Sequence, residues 1–140
     1  MAIKNLLITG SNGCVGQYLI DWFLKNTRFR LYLMVRDKNK LPLALQKNKR
    51  IKLLICDIRE CNRFSKEISQ VNFLIHTATA WGDPKRAYDV NIKAFEELLG
   101  MLEKDKLEKI IYFSTASILN EKCELMRESL TYGTEYIQTK

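Results

Sequence analysis

The amino-acid sequence predicts an α/β fold, a doubly wound parallel sheet with helices on both faces. Two observations predict it: five apolar runs of strand length recur along the chain, and segments with helical spacing lie between them. Strand and helix alternate in this way because each crossover must return the chain to the same end of a parallel sheet. We expect the strand order 3-2-1-4-5, with ligands bound at the switch point between the first and fourth strands.

The five predicted strands are short apolar runs that are typical of buried parallel strands. They cover Asn5–Thr9, Arg30–Val35, Ile51–Ile55, Asn72–His76 and Lys109–Ser114. Apolar residues with helical spacing follow three of them: Val15, Leu19, Trp22 and Phe23 after the first, Phe64 and Ile68 after the third, and Ala87, Val90, Ala94, Leu98 and Met101 after the fourth. Residues 120–127 are polar and aperiodic, and we expect them to form a loop.

Composition predicts one soluble globular domain, because 46% of the 140 residues are hydrophobic and 28% are charged. No apolar run approaches the roughly 20 residues that span a bilayer, so we expect a cytoplasmic protein without a membrane partner. The formal charge of +7 includes a basic cluster at Lys47, Lys49, Arg50 and Lys52. Such runs are more often solvated faces than nucleic-acid sites, and no nucleic-acid-binding motif accompanies this one.

Cysteine usage predicts reduced thiols and no metal site. The four cysteines, Cys14, Cys56, Cys61 and Cys123, show no C-x-x-C spacing, and one histidine cannot complete a Cys/His zinc site. We therefore expect no bound metal ion.

A glycine-rich turn follows the first predicted strand, with Gly10, Gly13 and Gly16 at G-x-x-G-x-x-G spacing before an amphipathic helix. Gly10 allows a sharp turn, Gly13 lets a pyrophosphate approach the backbone, and Gly16 lets the helix pack tightly on the sheet. The unpaired amides at the start of the helix favour an anion, so we expect Asn12, Cys14 and Val15 to share this site. A tight turn that binds nothing is the alternative, but the strand–turn–helix context favours a dinucleotide.

The run T-G-x-x-G-x-x-G at the N-terminus resembles the signature of the extended short-chain dehydrogenase/reductase family, also called the NAD-dependent epimerase/dehydratase family. The resemblance covers essentially the whole chain and implies a Rossmann-like fold over residues 1–140. Members of that family continue well past this point. The resemblance therefore implies an incomplete NAD(P)-binding domain, truncated after the fifth strand and lacking the later strands and the substrate domain.

The end of the second strand bears on the choice between NADP and NAD. An acidic residue there normally bonds the ribose 2′-hydroxyl, but Arg36 occupies the place and Asp37 follows. A guanidinium suits a 2′-phosphate, and Val35-Arg36-Asp37 is similar to the NADP-preferring reductases of the family. We expect NADP to be preferred over NAD. The alternative is that Arg36 faces solvent and Asp37 binds the ribose.

Three further segments resemble cofactor-binding stations of the family. Asp57-Ile58 is similar to the step that contacts adenine, although Asp57 also suits the N-cap of a helix, and both roles can hold at once. Thr77, Ala78 and Thr79 follow the fourth strand in a stretch that lines the cofactor in the family, while His76 is expected to be a packed structural residue. Asn91 matches the asparagine of a D-x-N motif that organises the site. Lys93-Ala94 departs from the Gly-Thr that commonly follows.

The resemblance also implies a catalytic set. Thr115 aligns with the catalytic Ser/Thr after the fifth strand, with Ser114 and Ser117 as competitors. Tyr136 and Lys140 match a Y-x-x-x-K motif, whose side chains share one helix face. In the family's mechanism the lysine lowers the pKa of the phenol and holds the cofactor ribose, while the tyrosine transfers the hydroxyl proton. Tyr132 has no lysine four residues after it.

These features predict an NAD(P)-dependent oxidoreductase or epimerase/dehydratase that acts on a small molecule with a carbonyl or secondary alcohol. The alternative is a non-catalytic NAD(P)-binding or redox-sensing module, which would have no need of the set Thr115, Tyr136 and Lys140. We expect the chain to be a fragment with little activity alone. The unprotected apolar edge of its fifth strand is expected to favour association, including homodimers.

Overall fold

Five parallel strands form a single sheet in the computed structural model, which describes residues 3–114. They are β1 (Asn5–Thr9), β2 (Arg30–Val35), β3 (Ile51–Ile55), β4 (Phe73–His76) and β5 (Lys109–Tyr112). Their order is β3-β2-β1-β4-β5, and every adjacent pair is parallel. The predicted doubly wound sheet and its strand order are confirmed, and β1 to β3 have the predicted bounds. Thr115, Tyr136, Lys140 and the predicted loop 120–127 lie outside the described residues.

The ends of β4 and β5 differ from the prediction by one or two residues. Asn72 lies just before β4, and its side chain accepts from the amide of Asn5 at 2.9 Å and donates to the carbonyl of Lys106 at 3.0 Å. Asn72 therefore fastens the approach to β4 through its side chain. At the other end β5 stops at Tyr112, so Ser114 lies beyond the strand, at the sheet's carboxyl edge.

Helical segments join the strands. They comprise α1 (Cys14–Asn26), a 3₁₀ helix (Lys38–Lys40), α2 (Leu43–Gln46), a 3₁₀ helix (Ile58–Phe64), α3 (Ser65–Ile68), α4 (Pro84–Tyr88), a π-helical turn (Asp89–Lys93) and α5 (Ala94–Gly100). The single helical pattern predicted between the last two strands is thus a continuous run with a π turn in its middle. Among residues 3–114, no helix has both the length and the apolar character needed to cross a membrane.

The core consists of two apolar layers, one on each face of the sheet. Leu6 and Ile8 of β1 pack on one face with Ile20 of α1. Leu7 of β1 points to the opposite face, where it packs with residues of the later helices such as Leu98. This alternation along β1 follows from the two-residue period of a strand. Each fully buried leucine or isoleucine contributes about 2 kcal/mol of transfer free energy.

The prediction that all five strands are buried was wrong for the two outer ones. In β3 only Leu54 is buried, and no residue of β5 is. Ile110 and Ile111 are 38% and 45% exposed. The reason is position: within the described part of the chain, β3 and β5 each have a neighbouring strand on one side only.

The basic cluster was predicted to be a solvated face, but two of its residues have structural partners. The half-buried guanidinium of Arg50 donates to carbonyl groups at the end of α1, including Leu24 at 2.9 Å and Thr27 at 2.7 Å. Those carbonyls have no partners further along the helix, and a cation there also complements the helix dipole. Lys52 pairs with Glu67 at 2.9 Å. Two of the four positive charges therefore have structural partners.

Candidate functional site

The turn after β1 requires glycine at its first position. Gly10 has a positive φ of 67°, and a Cβ there would lie 2.6 Å from Oγ1 of Thr77 and 2.9 Å from the amide nitrogen of Ala78. The amide of Gly13 donates to the carbonyl of Gly10 at 2.9 Å, and the buried hydroxyl of Ser11 donates to the carbonyl of Ile8 at 2.6 Å. The turn is thus closed by its own hydrogen bonds and touches the loop after β4.

Helix α1 starts directly above this turn. Its first hydrogen bond runs from the amide of Gln17 to the carbonyl of Gly13 at 3.0 Å, so the amides of Cys14, Val15 and Gly16 precede the helical ladder. No acidic side chain lies in the first turn of the helix. Together these amides and the helix dipole form a positive end that can receive an anion.

Gly16 brings that helix end close to the turn. A Cβ on Gly16 would lie 2.4 Å from the carbonyl oxygen of Gly10 and 2.8 Å from Cα of Ser11. Both are backbone atoms that cannot move aside cheaply. The predicted role of Gly16 in tight helix packing therefore has a direct steric basis.

Thr9 connects the glycine turn to the loop after β4. Its hydroxyl oxygen accepts from the amides of Thr77 and Ala78, each at 3.2 Å, and lies 3.0 Å from Nδ1 of His76. One hydroxyl therefore connects β1 to two backbone amides and to the imidazole of His76. His76 is fully buried and stacks on Tyr112 with ring centroids 5.3 Å apart. The structure thus places it as a packed, hydrogen-bonded residue, as predicted.

Asn91 holds the other end of the same loop. Its Oδ1 accepts from the amide of Ala80 at 2.8 Å and from the hydroxyl of Thr79 at 3.2 Å, while its Nδ2 donates to the carbonyl of Ala80 at 2.9 Å. Asn91 is 3% exposed and lies in the π turn, which inserts one extra residue into the helical run. It therefore organises the loop from behind the wall of the site.

A cavity of about 400 Å³ opens where the strands end. Most of the predicted cofactor residues line it: Gly10, Asn12, Gly13, Cys14, Val15, Gly16, Arg36, Asp57, Ile58, Thr77, Ala78 and Thr79. Ser114, the predicted competitor of Thr115, also lines it. Sequence reasoning missed further lining residues: Met34, Val35, Cys56, Ala80, Arg86, Val90 and Phe113. Only their position at strand ends or on a helix after β4 could have indicated them.

Asp57 has the N-cap role that its sequence context predicts, whereas its contact with adenine stays a prediction. It caps the 3₁₀ helix by accepting from the amide of Arg59 at 3.0 Å, and its carboxylate also accepts from the Arg59 guanidinium at 2.9 and 3.1 Å. The hydrogen bonds from Arg59 hold the pKa of Asp57 below its ordinary value, and the nearby charge of Arg36 lowers it further. Asp57 is therefore a carboxylate on the cavity wall whose charge is already partnered.

Arg36 and Asp37 are separated by the structure. Arg36 is exposed and lines the cavity. The side chain of Asp37 instead accepts from the amide of Asn39 at 2.9 Å and caps the 3₁₀ helix that follows. This arrangement favours Arg36 over Asp37 as the residue available to a ligand.

The cysteines of residues 3–114 are free thiols in different surroundings. Burial raises the pKa of Cys56 and of Cys61 to about 11, so both are protonated at neutral pH. Cys14 is exposed at the start of α1. No group of three or more His, Cys, Asp or Glu side chains in this part of the chain is arranged to hold a metal ion.

Fold and site together define a Rossmann-type nucleotide-binding domain, with a glycine turn, a free helix start and a cavity at the switch point of the sheet. The chain belongs to the NAD dependent epimerase/dehydratase family, whose family model matches residues 6–140. The resemblance inferred from the glycine turn is therefore confirmed.

Individual relatives agree with this assignment. UDP-glucose 4-epimerase of Rickettsia bellii (strain OSU 85-389) is 31% identical over 125 residues, which cover 80% of this chain and 36% of that protein. UDP-glucuronic acid 4-epimerase from Bacillus cereus, solved with NAD, matches with a TM-score of 0.78 at 25% identity, covering 96% of this chain and 48% of that one. The chain thus spans less than half the length of either relative.

A more distant structure supports the fold. The Bordetella bronchiseptica enzyme WbmG, solved in complex with NAD and UDP, has a TM-score of 0.78 at 16% identity and covers 99% of this chain and 47% of that one. At this identity the similarity concerns the fold alone.

Proposed function

We propose that residues 1–140 form an NAD(P)-binding domain in which the dinucleotide's diphosphate rests on the amides at the start of α1. The observation that carries this proposal is the turn at Gly10, Gly13 and Gly16 beneath a helix start without an acidic residue. Side chains at Gly10 or Gly16 would collide with backbone atoms, so the turn is built for close approach. Peptide amides and a helix dipole favour a phosphate there.

The cavity also fits the two ends of a dinucleotide. Arg36, Asp57 and Ile58 surround the side next to β2 and β3, where the adenosine is proposed to lie. Thr77 and Ser114 line the side next to β4 and β5, where the nicotinamide is proposed to lie. The order of strands separates these two sides with the glycine turn between them.

The proposed reaction is hydride exchange at a carbonyl or secondary alcohol carbon. Bound nicotinamide supplies the hydride donor or acceptor. We assign to Tyr136 the proton transfer at the substrate oxygen, to Lys140 the ribose and the favouring of a phenolate, and to Thr115 a hydrogen bond that orients the same oxygen. The names of the relatives favour a nucleotide sugar as substrate, because both act on UDP-sugars by name.

NADP preference is proposed on the basis of Arg36. Its guanidinium lies at the cavity while the carboxylate of Asp37 is engaged with a backbone amide. A 2′-phosphate would form a charge-assisted pair with Arg36, whereas an unmodified ribose hydroxyl would not. The affinities of the protein for NADPH and NADH test this preference.

Titration of the folded protein with NADPH and NADH tests the proposal. We expect saturable binding, seen as chemical-shift changes at Gly13 and its neighbours, with NADPH binding more tightly. Asn12→Asp places a negative charge on the cavity wall and should weaken binding of both nucleotides several-fold. Asn62→Asp, the same change on an exposed residue away from the cavity, is the control. Absence of binding by either nucleotide at millimolar concentration would contradict the proposal.

The catalytic assignment needs its own test. Tyr136→Phe removes the proposed proton carrier and should abolish any NAD(P)-dependent oxidation of a UDP-sugar, a loss of at least about 100-fold, without changing cofactor affinity. Tyr132→Phe removes the neighbouring phenol and should have no such effect. Because the 140-residue chain is expected to have little activity alone, both variants are compared in a longer chain that continues past Lys140. Equal turnover of the two variants there would favour the non-catalytic module.

A further inference from the structure

We propose that Arg86 is a further cofactor-binding residue, which contacts the dinucleotide's diphosphate from the wall opposite α1. The inference rests on the proposed function and goes beyond it, because Arg86 belongs to none of the motifs through which the sequence resembles the family. It would make the diphosphate site two-sided, with peptide amides on one side and a guanidinium on the other.

The orientation of Arg86 is fixed by short helix α4. Asp83 caps this helix by accepting from the amide of Arg86 at 2.7 Å, and the next residue, Ala87, is fully buried. Arg86 and Val90, four positions apart and hence on one side of the helical run, both line the cavity. The adjacent Lys85 is exposed and is not among the lining residues.

The strand order places Arg86 across the glycine turn from Arg36. Strand β1 lies between β2 and β4 in the sheet. Arg36 follows β2, whereas α4 follows β4, so the two guanidinium groups approach the cavity from opposite sides of the turn at Gly10. Arg36 is therefore on the side proposed for the 2′-phosphate, and Arg86 is on the β4 side of the glycine turn, where the diphosphate is proposed to lie.

The charged side chains that line the cavity favour an anionic ligand. Three charged side chains of the described residues line it: Arg36, Asp57 and Arg86. Asp57 is paired with Arg59, whereas neither Arg36 nor Arg86 takes part in an ion pair found within residues 3–114. A diphosphate carries negative charge that the helix amides balance only in part. A guanidinium, with its planar set of donors, is well suited to the rest.

This placement makes a prediction that separates Arg86 from Arg36. The diphosphate is common to NAD and NADP, so removing the charge of Arg86 should weaken both nucleotides equally. Removing the charge of Arg36 should weaken NADPH selectively. ADP keeps the diphosphate but lacks nicotinamide and the 2′-phosphate. Its affinity should therefore fall when the charge of Arg86 is removed and should not change when the charge of Arg36 is removed.

The experiment is a calorimetric titration of the full chain with NADPH, NADH and ADP, using Arg86→Gln, Arg86→Lys and Lys85→Gln. Arg86→Gln should raise the Kd of all three ligands about tenfold, which corresponds to about 1.4 kcal/mol. Arg86→Lys keeps the charge and should recover part of the affinity. Lys85→Gln makes the same charge change one residue away and should stay within about twofold of the wild type. Thermal melting of each variant checks that the fold is retained.

Two results would overturn the inference while leaving the proposed function intact: Arg86→Gln binding all three ligands as tightly as Lys85→Gln, or Arg86→Gln weakening NADPH alone. A wild-type chain that binds none of the ligands would instead overturn the proposed function itself. The ADP measurement also separates a diphosphate contact from one to the nicotinamide half, because a contact to nicotinamide would leave ADP binding unchanged.

Discussion

At the scale of single residues, the side chain of Thr9 contributes most to the architecture of the site. One hydroxyl serves two backbone amides and a buried imidazole, which ties β1 to the loop after β4 across 67 to 69 positions of sequence. The loop it holds supplies Thr77, Ala78 and Thr79 to the cavity wall. The position of that wall thus depends on a residue that does not itself line the cavity.

Thr9→Val replaces this hydroxyl with a methyl group of similar shape. It leaves two part-buried amides and the buried Nδ1 of His76 without this partner, so we expect a loss of about 2–3 kcal/mol in the free energy of unfolding. Urea denaturation would measure it. A stability within about 0.5 kcal/mol of the wild type would contradict the role given to Thr9. The exposed substitution Thr79→Val, which removes one hydrogen bond to Asn91, is a suitable comparison.

Asp57 gives a pH-dependent prediction at the same scale. Its pKa is lowered in the folded protein, chiefly by hydrogen bonds from Arg59, so its stabilising effect is complete above the unfolded pKa of about 3.9 and is lost as the pH falls through the lower folded value. Arg59→Gln should raise the pKa of Asp57 and lower stability at neutral pH. The difference in stability between Arg59→Gln and the wild type should disappear at a pH low enough to protonate the Asp57 carboxyl in both proteins. Carbon-13 NMR titration and urea unfolding across this acid range would check both points.

The sequence predicts those site residues whose contacts lie close to them along the chain. Gly10, Gly13 and Gly16 were predictable because their steric demands arise within one turn. Arg36 was predictable from its place at the end of a strand. The hydrogen bonds of Thr9 and the position of Arg86 at the cavity were not, since they depend on which strands become neighbours and on which side of a short helix faces the cavity.

At the scale of secondary-structure elements, the contact between α1 and the turn below it is the most constrained. Gly16→Ala would set a Cβ against two backbone positions, at 2.4 and 2.8 Å. We expect a loss of about 2–3 kcal/mol in stability, because the helix must shift outward, together with weaker nucleotide binding.

Gly100→Ala supplies the matched control for this substitution. Gly100 is also a helical glycine, at the end of α5, but a Cβ there would meet nothing within 4 Å. Alanine favours a helix over glycine, so stability should stay the same or rise by up to about 1 kcal/mol. Equal effects of the two substitutions in thermal melts would show that helix propensity, and not the close contact, governs Gly16.

The elements themselves show where periodicity is informative. Strands β1, β2 and β3 were predicted at their observed bounds because each is a short apolar run between polar breaks. The connection between β2 and β3 was not resolved from sequence, since α2 has only four residues, too few to show a helical period. The π turn at Asp89–Lys93 was invisible for a different reason: its extra residue is selected by the contacts of Asn91 with Ala80, which the sequence does not reveal.

At the scale of the whole molecule, β5 forms one outer edge of the sheet in the described part of the chain. Ile110, Ile111 and Phe113 are 38% to 45% exposed there. Because apolar edge strands favour pairing between chains, we expect concentration-dependent self-association in light scattering. Ile111→Lys should reduce it, whereas Ile3→Lys, which alters an exposed isoleucine next to β1, should not. Association that is unchanged by Ile111→Lys would place the contact elsewhere.

The central place of β1 has a consequence for how the molecule acquires its structure during synthesis. Thr9 pairs with His76 in the sheet. The side of β1 that faces β4 therefore has no partner until a segment 67 residues later has been synthesised. At translation rates of about 5–20 residues per second, that delay lasts several seconds. Throughout it, Leu7 lacks the neighbours that β4 and α5 supply, such as Leu74 and Leu98. Until β4 is made, the side of β1 that pairs with it therefore presents unpaired backbone groups.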